Sequence, residues 1–201
     1  MSSFKIPFER YQALLFDLDG TLVDTMGLHN QAWIETIGSH GLTMTADILQ
    51  EYAGIPNEKT VEIFNQRFHW SLDAKSVSVA KEARFLKSLN KIRPIDSVLK
   101  IAQQNHEKMP MAIVSGGSRE LVQKLLQAAQ IENLFPIRVC AGDTKHGKPS
   151  PEPFLLAAER LGVDPQKCLV FEDGEAGITG AMACGMGVVK VLANFELKFL
   201  N

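Results

Sequence analysis

Two aspartates one residue apart, Asp17 and Asp19, close an apolar run that begins at Leu14, and Gly20 follows them directly. In extended chain alternate side chains share a face, so both carboxylates point to one side while Leu18 turns back towards a core. Like charges held so close repel, and burial adds to the cost unless something compensates. A divalent metal, a substrate phosphate or different protonation states for the two acids would each relieve it. Gly20 permits a sharp turn just past the pair, and Asp24 and Thr25 are residues of the type that caps a following helix.

Polar residues recur at the ends of other apolar runs. Ser115-Gly116-Gly117 follows Met111–Val114, Lys148 stands before Pro149 in the loop after Ile137–Cys140, and Glu172 and Asp173 follow Cys168–Phe171. Carboxylates are hard oxygen ligands suited to Mg²⁺, which is commonly held by one or two of them together with a substrate phosphate. A hydroxyl and bare backbone N–H groups at a helix start, Ser115 with Gly116 and Gly117, hold an anion well. Lys148 adds the positive charge that a phosphoryl group in transfer needs. The inventory reads as a metal and phosphate site, which leaves Asp17 available as a nucleophile.

The elements that must position these residues alternate. Strands over 14–16, 111–114, 137–140, 168–171 and 188–192 are separated by helices over 96–106, 119–130, 151–161 and from Gly174 to about Cys184. Such alternation means right-handed crossovers and a parallel sheet covered on both faces, with ligands bound beyond the carboxyl ends of the strands. Between the first strand and Arg93-Pro94 the pattern changes. Helices are expected from His29 to His40, from Ala46 to Tyr52 behind a Thr45 cap, from Asn57 as cap through Val61, Phe64 and Phe68, and from about Asp73 to Leu89. The expected division is a catalytic core of residues 1–24 and 92–201 and a helical insertion over 25–91. Lys145 and His146 read as solvated side chains, and Trp33, Phe64, Phe68 and Phe85 as the core of the helical block.

Composition narrows the partners. The chain has 201 residues, 45% of them hydrophobic, and a formal charge of −2, so no basic field draws nucleic acid or anionic lipid to it. The first residues lack the apolar stretch of a secretion signal, and no segment is long and uncharged enough to span a bilayer. Cys140, Cys168 and Cys184 are an odd, widely spaced set and read as small buried hydrophobes in a reducing compartment. A cytoplasmic monomer is expected, with no nucleic-acid or membrane partner.

These segments resemble the motifs of the haloacid dehalogenase superfamily, phosphatase branch. Asp17-Leu18-Asp19-Gly20-Thr21-Leu22 matches its first motif, Ser115 its second, Lys148 its third and Glu172-Asp173 its fourth, in order along the whole chain. The resemblance implies a three-layer, Rossmann-like α/β core with a parallel sheet and an inserted all-helical cap domain. It also implies roles: Asp17 attacks phosphorus to give an aspartyl-phosphate, and Asp19 serves as acid and then base. Mg²⁺ is held by Asp17, the backbone carbonyl of Asp19, Asp173 and Glu172, and Ser115 and Lys148 clamp the phosphoryl oxygens.

The insertion resembles the cap of the subgroup that contains β-phosphoglucomutase and small sugar-phosphate phosphatases. Substrate would be read there by His29 and by Gly54-Ile55-Pro56-Asn57, and Thr25 either contacts substrate or only caps and hinges the insertion. The mutase-like relatives match His29, but they carry an arginine where Asn57 stands and a lysine-asparagine pair where Ser118-Arg119 stands. Those residues help hold a second phosphate, so hydrolysis of a small phosphorylated sugar, of the fructose 1-phosphate kind, is the expected activity. Arg119 still offers a distal phosphate a cation, which keeps the mutase as the alternative, and a non-catalytic phosphosugar-binding protein is the second alternative.

Overall fold

The computed structural model describes residues 6–52 and 55–200. The chain divides into two compact units, one of Met1–Asp24 with Arg93–Asn201 and one of Thr25–Ile92.

The first unit is built on a six-stranded sheet. Its strands are β1 (Ala13–Phe16), β4 (Met111–Val114), β5 (Ile137–Val139), β6 (Cys168–Glu172), β7 (Gly187–Val191) and β8 (Leu197–Leu200), in the order β5-β4-β1-β6-β7-β8. The first five are parallel, with Phe16 opposite Ile113 on one side and Phe171 on the other. Strands β1, β4 and β6 are buried at every position, as uninterrupted apolar runs are when helices cover both faces. One face packs Leu15, Val114, Val170 and Val188 against Phe154, Ala157 and Ile178. On the other, Phe16 stacks on Phe171 with centroids 4.8 Å apart and meets the edge of Phe135 at 5.5 Å.

The sheet departs from the expectation at its edge. Strand β8, which the sequence reading left out, runs antiparallel to β7, pairing Val188 with Leu200 and Val191 with Leu197. A turn at Phe195, with φ of 62°, reverses the chain. The helices of this unit are α5 (Asp96–Asn105), α6 (Arg119–Ala128), α7 (Glu152–Leu161) and α8 (Glu175–Ala183). A short antiparallel ribbon, β2 (Val23–Asp24) with β3 (Arg93–Pro94), joins the point where the chain leaves this unit to the point where it returns.

The described residues of the second unit form helices α1 (Met26–Gly38), α2 (Ala46–Gln50), α3 (Asn57–Phe68) and α4 (Ala74–Leu86) and a single 3₁₀ turn, with no strand. Helix α1 starts at Met26, earlier than the expected His29, and α4 stops at Leu86. Asn57 is not a cap: Pro56, held extended at ψ 139°, takes that position and Asn57 is the first helical residue. Trp33, Ile37, Leu49, Val61, Phe64 and Val77 make the core, with Phe64 edge-on to Trp33 at 5.5 Å. Among the described residues, no helix is long and apolar enough to cross a membrane.

Candidate active site

Strand β1 is central and delivers Asp17 beyond its end, where the Asp17 N–H still bonds to the Phe171 carbonyl at 2.9 Å. The chain then turns tightly. The N–H groups of Leu22 and Val23 both reach the Leu18 carbonyl, Leu18 is fully buried, and Gly20 takes φ of 83°. Only glycine suits that turn on two counts, because a Cβ there would lie 2.3 Å from Asp173 Oδ2. The neighbouring Thr21 donates its hydroxyl to Asp173 Oδ1 at 3.0 Å.

Lys148 comes from the loop between β5 and α7 and is enclosed. Its Nζ donates to Asp17 Oδ1 at 2.7 Å and to Glu172 Oε2 at 2.6 Å, and lies 5.5 Å from the centre of the Phe154 ring. The remaining oxygen of Glu172 accepts the Gly174 N–H at 3.1 Å. Lys148, Asp17 and Glu172 are all nearly inaccessible, so their mutual attraction is only weakly screened.

Charge does not balance in this cluster. Oxygens of Asp17, Glu172 and Asp173 all lie within 4.8 Å of one another, against one ammonium. Burial, with the Asp17 charge behind it, pushes Glu172 up to about 8 and Asp173 up to about 7. Burial also raises Asp17, against the pull of Lys148. The flanking carboxylates in turn hold the Lys148 ammonium well above its ordinary value, although burial alone would lower it. Hard oxygen donors that must share protons when left alone fit a divalent cation, which would let all three ionise together. Asp19 has its side chain outside this three-carboxylate set, though its charge adds to the upward push on Asp17.

The end of β4, next to β1 in the sheet, carries Ser115, whose N–H bonds to the Val139 carbonyl at 2.9 Å. Its buried hydroxyl accepts the Gly117 N–H at 3.0 Å, and Ser118 caps α6 through Leu121 N–H. Gly116 and Gly117 thus span the turn between Ser115 and the α6 cap. Arg119 is tied down: one guanidinium nitrogen donates to both oxygens of Asp143, at 2.8 and 2.6 Å. Asp143 also accepts from Arg160 at 3.0 Å and from the Cys140 N–H at 3.1 Å.

In the helical unit, Thr25 is fully buried just ahead of α1. His29 stacks on Phe85 at 3.9 Å, nearly parallel, and its Nδ1 lies 2.7 Å from Nζ of Lys81. Lys81 is itself buried, with its ammonium 5.4 Å from the Trp33 ring centre and 5.5 Å from that of Phe85. Asn57 starts α3, and Gly54 lies outside the described residues.

Three residues of this chemistry escaped the sequence reading. Lys81 follows Val77 and precedes Phe85 at intervals of four, so a lysine inside the apolar stripe of α4 was the available signal. Thr21 stands directly after Gly20. Asp143 had no signal, because its three partners come from α6, α7 and the end of β5.

A family model described as a haloacid dehalogenase-like hydrolase matches residues 11–185. A fructose-1-phosphate phosphatase of Escherichia coli is 35% identical, across 92% of this chain and 98% of its own. A phosphorylated carbohydrates phosphatase of Thermotoga maritima is 31% identical, across 87% of this chain and 82% of its own. A solved β-phosphoglucomutase of Clostridium difficile shares the fold, with a TM-score of 0.77 and 23% identity over 90% of this chain and 84% of that one.

Proposed function

The chain belongs to the haloacid dehalogenase-like hydrolases and is a phosphoric monoester hydrolase, and on that premise we propose that it releases phosphate from small phosphorylated sugars of the fructose 1-phosphate kind. The observation that carries the reading is the nearly inaccessible Lys148 bridging Asp17 and Glu172, with Asp173 and Thr21 beside them. The names of the two similar phosphatases support a phosphorylated carbohydrate as substrate.

In this reading Asp17 attacks phosphorus with a carboxylate oxygen. The bond from phosphorus to the sugar oxygen breaks as Asp19 gives that oxygen a proton. Asp19, now ionised, takes a proton from water, whose oxygen attacks the aspartyl-phosphate, frees inorganic phosphate and restores the Asp17 carboxylate. Lys148 holds Asp17 and balances charge on the phosphoryl oxygens, and the Ser115 hydroxyl, fixed by the Gly117 N–H, receives those oxygens together with the Gly116 N–H. Asp17, Glu172, Asp173 and the Asp19 carbonyl would hold Mg²⁺, which when bound supplies the positive charge that lets these acids stay ionised beside a phosphate.

The lock of Arg119 on Asp143 supports a monophosphate substrate, since a distal phosphate would have to compete with a carboxylate already engaged at 2.6 and 2.8 Å. The test is phosphate release from a panel of sugar monophosphates with Mg²⁺, by the unaltered protein and by Asp17→Asn. Release by the first and not the second is expected, and no release by either sinks the proposal. β-Glucose 1-phosphate offered with a bisphosphate primer should give free phosphate faster than glucose 6-phosphate. The reverse order would make the protein a mutase.

A further inference from the structure

Helix α8 places a glycine where any other residue would collide with the charged cluster. A Cβ built on Gly177 would lie 1.9 Å from Glu172 Oε2, 2.2 Å from its carboxyl carbon and 2.7 Å from its Cγ. No side chain makes such contacts, so the Glu172 carboxylate rests on bare backbone. The same face of α8 comes close to the other end of the ion pair. A Cβ on Gly180, one turn further, would meet the backbone oxygens of Ser150 at 2.9 Å and Pro149 at 3.1 Å, in the segment that follows Lys148. Glycine is a poor choice inside a helix on the helix's own account, because it leaves the backbone more freedom to lose than alanine does. Its presence, buried, in the first turn of α8 answers to the carboxylate above it.

We propose that Gly177 is a positioning residue for the reacting pair: its missing side chain is the space in which Glu172 lies while it holds Lys148 against Asp17. The proposal rests on the reading of Asp17 and Lys148 as reacting groups. A methyl group at 177 forces Glu172 to rotate, its Oε2 leaves the ammonium that it now meets at 2.6 Å, and Lys148 is left to Asp17 alone. Gly177 touches neither phosphate nor metal in this scheme and acts only through Glu172.

The test is a cycle of Gly177→Ala, Glu172→Asp and the double variant. It is read by the thermal midpoint of the metal-free protein and by Mg²⁺-supported phosphate release from fructose 1-phosphate. Gly177→Ala is expected to slow release by roughly 10–100-fold, as loss of an outer partner of a site does, and to lower the midpoint although alanine is the better helix former. Glu172→Asp shortens the acid by one methylene and removes the 1.9 and 2.2 Å contacts, leaving only its carboxyl carbon near the 2.7 Å position of the present Cγ, so the double variant should melt above Gly177→Ala and release phosphate faster than it. A Gly177→Ala protein with full rate and a raised midpoint overturns the proposal, as does a double variant showing the sum of the two separate losses. If Gly177→Ala alone does not accumulate folded, a folded double variant supports the proposal and an unfolded one overturns it. Should the unaltered protein release no phosphate from any sugar phosphate, the proposed function fails, while the melting cycle still decides the role of Gly177.

Discussion

Among the described residues, Lys148 and Lys81 are both largely shielded from solvent, in two different ways. Lys148, in the sheet unit, is clasped by the carboxylates of Asp17 and Glu172, whereas within the helical unit Lys81 lies among the His29 imidazole and the rings of Trp33 and Phe85. Carboxylates fix an ammonium at a point and are themselves costly to bury, so the first arrangement is stiff and holds excess negative charge. Ring faces and an imidazole add a broad, shallow attraction of the cation–π kind. The first suits chemistry on a fixed atom.

The largest expected effect breaks the first arrangement at its centre. Asp17→Asn should remove phosphate release by on the order of 1,000-fold or more, read as kcat with Mg²⁺ and a sugar phosphate, if Asp17 is the nucleophile. A residual rate within tenfold of the unaltered protein would end that assignment.

The lysines themselves give the direct contrast. Lys148→Met leaves Glu172 and Asp17 buried without their cation and should cost about 3–5 kcal/mol in denaturant melts, the usual penalty for orphaning a buried charge. Lys81→Met keeps the long aliphatic stem against Trp33 and Phe85 and should cost less, about 1–2 kcal/mol. Equal losses would show that the two environments hold charge alike.

Acid–base linkage separates the units further. Glu172 and Asp173 are raised to about 8 and about 7 from ordinary values of 4.5 and 3.8. Groups raised in this way hold protons in the folded chain that the unfolded chain has already lost, so stability falls as pH rises. Their contribution is fully present below about pH 4 and gone above about pH 8 in metal-free protein. Thermal midpoints of that protein should therefore decline across this window. Mg²⁺ should flatten the decline, because it stabilises the ionised carboxylates. A flat profile without metal would mean that the acids ionise normally in the fold.

Smaller effects are expected further from the cluster. Asp143→Ala frees Arg119 and Arg160 and leaves the Cys140 N–H without its acceptor, at a cost of about 1–3 kcal/mol in the same melts. It should also let a sugar bisphosphate compete better against phosphate release, since the Arg119 guanidinium is released. Unchanged inhibition by bisphosphate would detach Arg119 from the substrate question. Asn57→Arg should alter the order of preference among sugar phosphates by a few fold while leaving the Mg²⁺ requirement as it was, and an unchanged order would remove Asn57 from substrate reading.

How much of this was legible in advance follows from where each residue sits. Asp17, Ser115, Lys148, Glu172 and Asp173 all stand at or just beyond the ends of buried apolar strands or in the loops between them, and in a parallel sheet such ends collect on one edge. Position along the chain therefore implied position in space. Strand β8 escaped because it is only four residues long, Leu197-Lys198-Phe199-Leu200, mostly half-buried and without sustained alternation, which propensity alone does not separate from a tail. Asp143 and Lys81 escaped for another reason. Each takes most of its partners from elsewhere in the chain, so the place of Lys81 in the apolar stripe of α4 hinted at burial but not at what surrounds it, and Asp143 gave no hint at all. The sheet unit's cluster is written in local motifs, while the partners of Lys81 were chosen by packing.

The two-residue ribbon of β2 with β3 has a topological consequence. By pairing Asp24 with Arg93 it brings both ends of the inserted segment to within one strand spacing, so everything between them is a closed loop hung from a single point. Closing a loop costs entropy that grows only with the logarithm of its length, so the sheet unit loses little by hosting a whole helical unit there rather than a short turn. That makes the ribbon a natural splice point. Closure entropy sets little limit on the size of the segment carried between Asp24 and Arg93, and Asp17 and Lys148 both belong to the unit that carries it.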